Sequence, residues 1–174
     1  MRSALAGLAL CMSASALGAQ YARARVWLPG FATQLALDTI GLAVEIAAPA
    51  GKTYRAVVAA FDELKIPLDT KDSARGMVGN LTLVRTRNIA GSSLSRWFDC
   101  GTGITGRNAE SWRLYIAIAA LLDPLPEGRT RLRIGMAAGA QDMQGNSKEP
   151  VACSTSGGLE AKFQELIAAR VSAP

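Results

Sequence analysis

Two runs of alternating residues constrain this chain most. Trp112, Leu114, Ile116 and Ile118 share one parity, and Thr130, Leu132, Ile134 and Met136 share another. A period of two marks a strand that buries one face. Between the runs lies DPLPEG, residues 123–128, whose Pro, Asp and Gly favour a turn. The pair reads as a β-hairpin with a six-residue loop, which makes part of any sheet antiparallel. A helical stripe of Trp112, Tyr115, Ile116 and Ala119 also fits the first run. Strand and helix therefore both stay open over residues 108–122.

The rest of the chain supplies partners for that hairpin. Leu42, Val44 and Ile46 alternate with Ala43, Glu45 and Ala47, and Pro49-Ala50-Gly51 ends the strand. Thr53 is placed to cap a helix with the stripe Tyr54, Val57, Val58, Phe61 and Leu64. Arg55, Asp62 and Lys65 fall outside the stripe. Pro67 stops the helix by biasing Ile66 away from helical angles. DTKDSARG, residues 69–76, reads as a polar turn before a second strand around Leu81 and Leu83. Residues 88–108, rich in Gly and Ser, read as a long loop. Val151-Ala152-Cys153 reads as a short strand. Ser154, Thr155 and Ser156 offer caps for a last helix with the stripe Leu159, Phe163, Leu166, Ile167 and Val171. The predicted fold is α+β. It is a two-layer domain with a mostly antiparallel sheet of four to five strands and two amphipathic helices on one face.

The start of the chain has the order of an export signal. Arg2 precedes an apolar run, and Ala14-Ser15-Ala16 fits the small-x-small rule for leader cleavage. Residues 1–19 are read as a signal peptide, with cleavage after Ala16 or Ala19. Cys11 follows the bulky Leu10, so it is expected to leave with the leader; a lipid anchor through Cys11 is the alternative. Residues 20–34 are read as a lightly ordered N-terminal arm holding Trp27 and Phe31, and residues 35–174 as one domain. Loss of Arg2 with the leader, which holds no acid, lowers the net charge from +5 to +4. That mild excess is no signature of nucleic-acid binding. The longest apolar run, residues 116–122, is too short to span a bilayer.

Cys100 and Cys153 remain after processing, and an even pair in an exported chain reads as a disulfide. Closing so long a loop stabilises a fold by about 4 kcal/mol in the chain-entropy model. The chain has no histidine. That excludes Ser-His-Asp and Cys-His catalysis and every His-containing metal site. No catalytic residue, metal ligand or cofactor is assigned.

Two patterns could carry binding. Residues 101–106, GTGITG, match G-x-G-x-x-G, but Arg96-Trp97-Phe98-Asp99-Cys100 before them is a poor buried strand. A dinucleotide site needs those glycines between a buried strand and a helix. The match therefore reads as a Gly-rich turn beside the disulfide. Arg129, Arg131 and Arg133 lie on the parity opposite Leu132 and Ile134. In a strand they form a row on one face, a candidate surface for anionic lipid, glycan or an acidic protein. Asp62, Glu63, Asp69 and Asp72 are the acids a glycan hydrolase would draw on.

TYRAVVAAFDELKIPLDTKDSARGMV, residues 53–78, resembles a helix-to-strand step of small bacterial envelope proteins. It is similar to the domains of the C-subunit lipoprotein of the outer-membrane barrel-assembly machinery. CSTSGGLEAKFQELIAARV, residues 153–171, resembles the endings of related envelope proteins. The resemblance implies a helix-grip arrangement and a non-catalytic envelope domain, and it transfers no site residues. The expected function is a periplasmic or secreted binding or accessory module. The alternative is a carboxylate-dependent hydrolase of envelope glycans.

Overall fold

A computed structural model describes residues 25–37, 43–104 and 106–173. The leader, its cleavage site, Cys11, Leu42 and Thr105 lie outside the described residues. The domain is α+β. Its sheet has seven strands: β1 (Val44–Ile46), β2 (Thr70–Asp72), β3 (Met77–Arg85), β4 (Phe98–Asp99), β5 (Arg113–Leu125), β6 (Arg129–Gln141) and β7 (Val151–Thr155). Among the described residues three helices accompany it: α1 (Ala50–Glu63), the four-residue α2 (Asn108–Ser111) and α3 (Gly158–Ser172). The spatial order is β2-β3-β5-β6-β7-β4, and β1 pairs with the start of β6. Every pairing is antiparallel. The sheet is thus larger than the expected four to five strands, and a third, short helix joins the two expected ones.

The hairpin of β5 and β6 is the spine. Ile116 faces Ala138, Ile118 faces Met136, Ala120 faces Ile134 and Leu122 faces Leu132 across it. All eight side chains are buried on one face, two pairs matching large with small and two large with large. The six-residue loop shrinks to three residues, because Asp123, Pro124 and Leu125 pair with Arg131, Thr130 and Arg129. Strand is the outcome for residues 113–122, and helix holds only at 108–111.

Helices α1 and α3 cover the apolar face. Val57, Ala60 and Phe61 of α1 and Leu159, Phe163 and Ile167 of α3 are buried, with Tyr54, Val58, Leu166 and Val171 packed at the margin. The Phe61 and Phe163 rings meet with centroids 4.7 Å apart. Full burial of one such side chain contributes about 1.5–3 kcal/mol.

Both helix starts differ from expectation. Thr53 is no cap, since α1 begins three residues earlier, after Pro49. The Thr53 hydroxyl donates back to the Pro49 carbonyl instead (3.2 Å). Helix α3 starts after Gly157, held at φ +78°, and the Ser156 hydroxyl accepts from the Gly158 N–H (3.3 Å). Proline 67 is not what ends α1. The Ile66 N–H bonds to the Phe61 carbonyl and the Lys65 N–H to the Asp62 carbonyl, with Lys65 at φ +56°. This left-handed cap closes the helix before the proline is reached.

The first sheet edge is β2 beside β3. Residues 70–72 are strand, not turn. A bulge between Ile116 and Ile118 disturbs the pairing of β5 with β3. There the Asp69 carboxylate accepts from the Leu81 and Thr82 N–H groups (3.0 Å each) and from the Thr82 hydroxyl (2.6 Å). Burial raises the Asp69 pKa, but these bonds outweigh it and hold the carboxyl below its ordinary value.

The second edge is β4 beside β7. Residues 88–108 are not a bare loop. They contain a ribbon pairing Asn88–Ile89 with Ser92–Ser93, a 3₁₀ turn at Leu94–Arg96, β4, and a ribbon pairing Thr102–Gly103 with Gly106–Arg107. The Trp97 indole N–H donates to the Ile89 carbonyl (3.2 Å). The sulfurs of Cys100 and Cys153 lie at bonding distance, 2.07 Å, with Cα atoms 4.2 Å apart. Residues 25–37 are ordered too. Arg25–Val26 pairs with Leu35–Ala36, and Leu28 is buried. Phe31 lies on Gly139, where a Cβ would fall 2.3 Å from its ring, while Trp27 is 59% exposed.

Candidate functional site

The arginine row forms as its spacing dictates. Arg129, Arg131 and Arg133 share the sheet face opposite the helices, each about 7 Å from the next. They do not stand alone. Arg129 Nη1 lies 2.6 Å from Glu45 Oε2, and Arg131 Nη2 lies 3.7 Å from Glu45 Oε1. Arg133 Nη2 lies 2.8 Å from Asp123 Oδ2. Glu45 comes from β1 and Asp123 from β5, so strand pairing brings acids to the row. The local field is closer to neutral than three bare cations would give.

The row adjoins a cleft at the start of α1. Asp123 is its link, being both partner of Arg133 and part of the cleft wall. The cleft, about 420 Å³, opens where the first turns of α1 meet the 73–76 turn and the end of β5. Its lining includes the buried Leu122 and the exposed Pro124. Tyr54, Arg55 and Arg75 line it as well. Arg75 pairs loosely with Asp72 at 3.6 Å and its side chain is 81% exposed. Arg55 folds back over the start of its own helix, within 3.9 Å of where a Gly51 Cβ would stand. The cleft therefore combines apolar lining residues with two arginines. That arrangement fits a ligand with an anionic head and an apolar body.

A second cleft lies at the disulfide end, lined by Phe98, Asp99, Cys100 and Arg107. Beside it, the G-x-G-x-x-G stretch is a tight ribbon in which Gly103 pairs with Gly106. It does not link a buried strand to a long helix, as a pyrophosphate cradle requires. Ile104 at its tip is fully exposed.

Glu160 escaped the sequence reading. It is 2% exposed in the first turn of α3, and its carboxylate has only weak contacts, with its own N–H and the Thr155 hydroxyl. Burial raises its pKa above the ordinary value. The signal was present: Glu160 stands three residues before Phe163 and seven before Ile167, on the buried stripe. Arg55 and Arg75 escaped as well. One read as a solvated helix position and the other as part of a turn, and only the fold joins them.

Among the described residues, no group of three or more Cys, Asp or Glu is placed to hold a metal ion. No helix of the described residues is long and apolar enough to cross a membrane. No family model, no curated protein and no solved structure matches the chain.

Proposed function

We propose that this chain is a non-catalytic binding or accessory module of the exported cell envelope, and that the cleft at the start of α1 takes an anionic ligand. The observation that carries this reading is that one cleft is lined both by Leu122 and Pro124 and by Arg55 and Arg75. The Cys100–Cys153 pair supports an oxidising compartment. The order of charge, apolar run and small residues in 1–19 supports export. A glycan hydrolase needs two carboxylates facing one cleft. Asp123, Asp99 and Asp142 each line a different cleft among the described residues.

Flotation with vesicles of phosphatidylglycerol, against vesicles of phosphatidylcholine, tests the anion preference. Binding to the anionic vesicles should fall as salt rises. Arg55→Gln with Arg75→Gln should weaken it at least tenfold. Replacing Arg129, Arg131 and Arg133 by Gln should weaken it less, because Glu45 and Asp123 already engage that row. No binding at low salt, or indifference to the Arg55 and Arg75 changes, would overturn the proposal.

A further inference from the structure

We propose that the outer edge of β3 around Val84 takes an extended acidic peptide of another protein, added to the sheet as one more strand. This inference does not rest on the anion cleft.

The sheet stops short at this edge. Strand β3 runs from Met77 to Arg85, but β2 pairs only with Met77, Val78 and Gly79. Asp69 then takes the Leu81 and Thr82 N–H groups, so both are directed away from β5. Beyond the bulge, backbone groups alternate sides along the extended chain. Leu83 and Arg85 turn to β5, opposite Ile116 and Leu114, and Val84 turns outward. The Val84 carbonyl accepts from the Arg85 guanidinium of its own strand (2.9 Å), which agrees with that direction. No strand of the described residues lies beside Val84 on this side, and Val84 is 41% exposed. An outward N–H and C=O on a strand of this kind are a template for a further strand.

The charges say which peptide fits. Arg85 and Arg87 stand at this end of β3, and the register places Arg113 next to the pair of Leu114 and Arg85. Among the described residues none of these three arginines meets a carboxylate, whereas Arg129 and Arg131 share Glu45. Three uncompensated cations beside an open edge suit a strand that carries acids. An incoming residue takes the Val84 N–H and C=O and frees the Arg85 guanidinium to bind a carboxylate. Asp69 bounds the slot at Thr82, so the acids of the peptide fall toward Arg85 and Arg87.

The test is a titration of ¹⁵N-labelled protein, disulfide intact, with an acetylated and amidated peptide of alternating Glu and Val, to about 2 mM. The expected result is a saturable shift of the Val84 amide, with its hydrogen exchange slowed at least tenfold. The same peptide with Lys in place of Glu should bind at least tenfold more weakly. Val84→Pro should abolish binding and keep the fold, because this N–H lies outside the ladder. Should that variant fail to fold, peptides N-methylated at every Val or at every Glu take its place, and one of the two should not bind. Absence of a saturable Val84 shift would overturn the proposal, as would equal affinity for the Glu and Lys peptides. Parental affinity in Val84→Pro, or for both methylated peptides, would overturn it as well. A Val84 amide protected without peptide, in a protein that sediments as a dimer, would give the edge to a second copy and overturn it likewise.

Discussion

The two edges of the sheet are fastened by different means. At the first, β2 and the bulged β3 are held by one carboxylate, Asp69, whose oxygens gather the loose N–H groups of Leu81 and Thr82. At the second, β4 is two residues long and is secured to β7 by the Cys100–Cys153 pair. Hydrogen bonds suffice where strand neighbours follow one another in sequence. A covalent link between cysteines 53 positions apart is used where a two-residue strand must meet a distant partner. The first fastening depends on pH and the second on redox state. Each edge therefore fails under a condition the other survives.

The largest effect should come from the covalent edge. Replacing Cys100 and Cys153 by Ser should cost about 2–5 kcal/mol. Hydrogen exchange should rise first over residues 88–112 and 151–156, and least over β2 and β3. Equal loosening at both edges would erase the contrast.

A smaller effect is expected at the other edge. Asp69→Ala removes the acceptor for the bulge and should cost about 1–2 kcal/mol, reduced by exposure to solvent. Because the folded pKa of Asp69 lies below the ordinary 3.8, its contribution is present above that pH. It is lost as pH falls through the folded value. Urea unfolding at pH 3 and pH 7 should show parent and variant converging in acid.

The smallest effect sharpens the comparison, since Glu160 lies close to the second edge and works in the opposite sense. Its folded pKa is raised above the ordinary 4.5, so the fold is favoured below that pH and weakened as pH climbs through the folded value. Glu160→Gln should flatten that decline and stabilise the protein slightly at pH 7. A parent whose stability is level from pH 4.5 to pH 8 would rule this out.

The strands with clear alternation were legible in the sequence, and so were the two helix stripes. Periodicity survives in single residues, and Ile116, Ile118, Leu132 and Ile134 all face the core as their parity requires. The six-residue turn was misread because Asp, Pro and Gly signal a break, yet Asp123 and Pro124 sit opposite Arg131 and Thr130 within the ladder. Strand β4 was hidden for a different reason. Phe98-Asp99 is too short for any period, and only its distant partner makes it a strand. The same distance hid the ion pairs. Arginine spacing fixes a face, but it says nothing of Glu45, which stands 84 residues before Arg129. Cap residues misled because Thr53 lies inside the first turn of α1 and Ser154 and Thr155 lie in β7, so of the expected caps only Ser156 meets a helix start.

The bond between Cys100 and Cys153 also has a meaning in time. At roughly 5–20 residues per second, a ribosome needs about 3–10 s to pass from the first of these cysteines to the second. Throughout that interval the nascent chain holds Cys100 as an unmated thiol, with Phe98-Asp99 lacking the strand it will join. Any encounter with another thiol during those seconds competes with the native closure. A ribosomal pause between the two cysteines would lengthen the exposure in direct proportion.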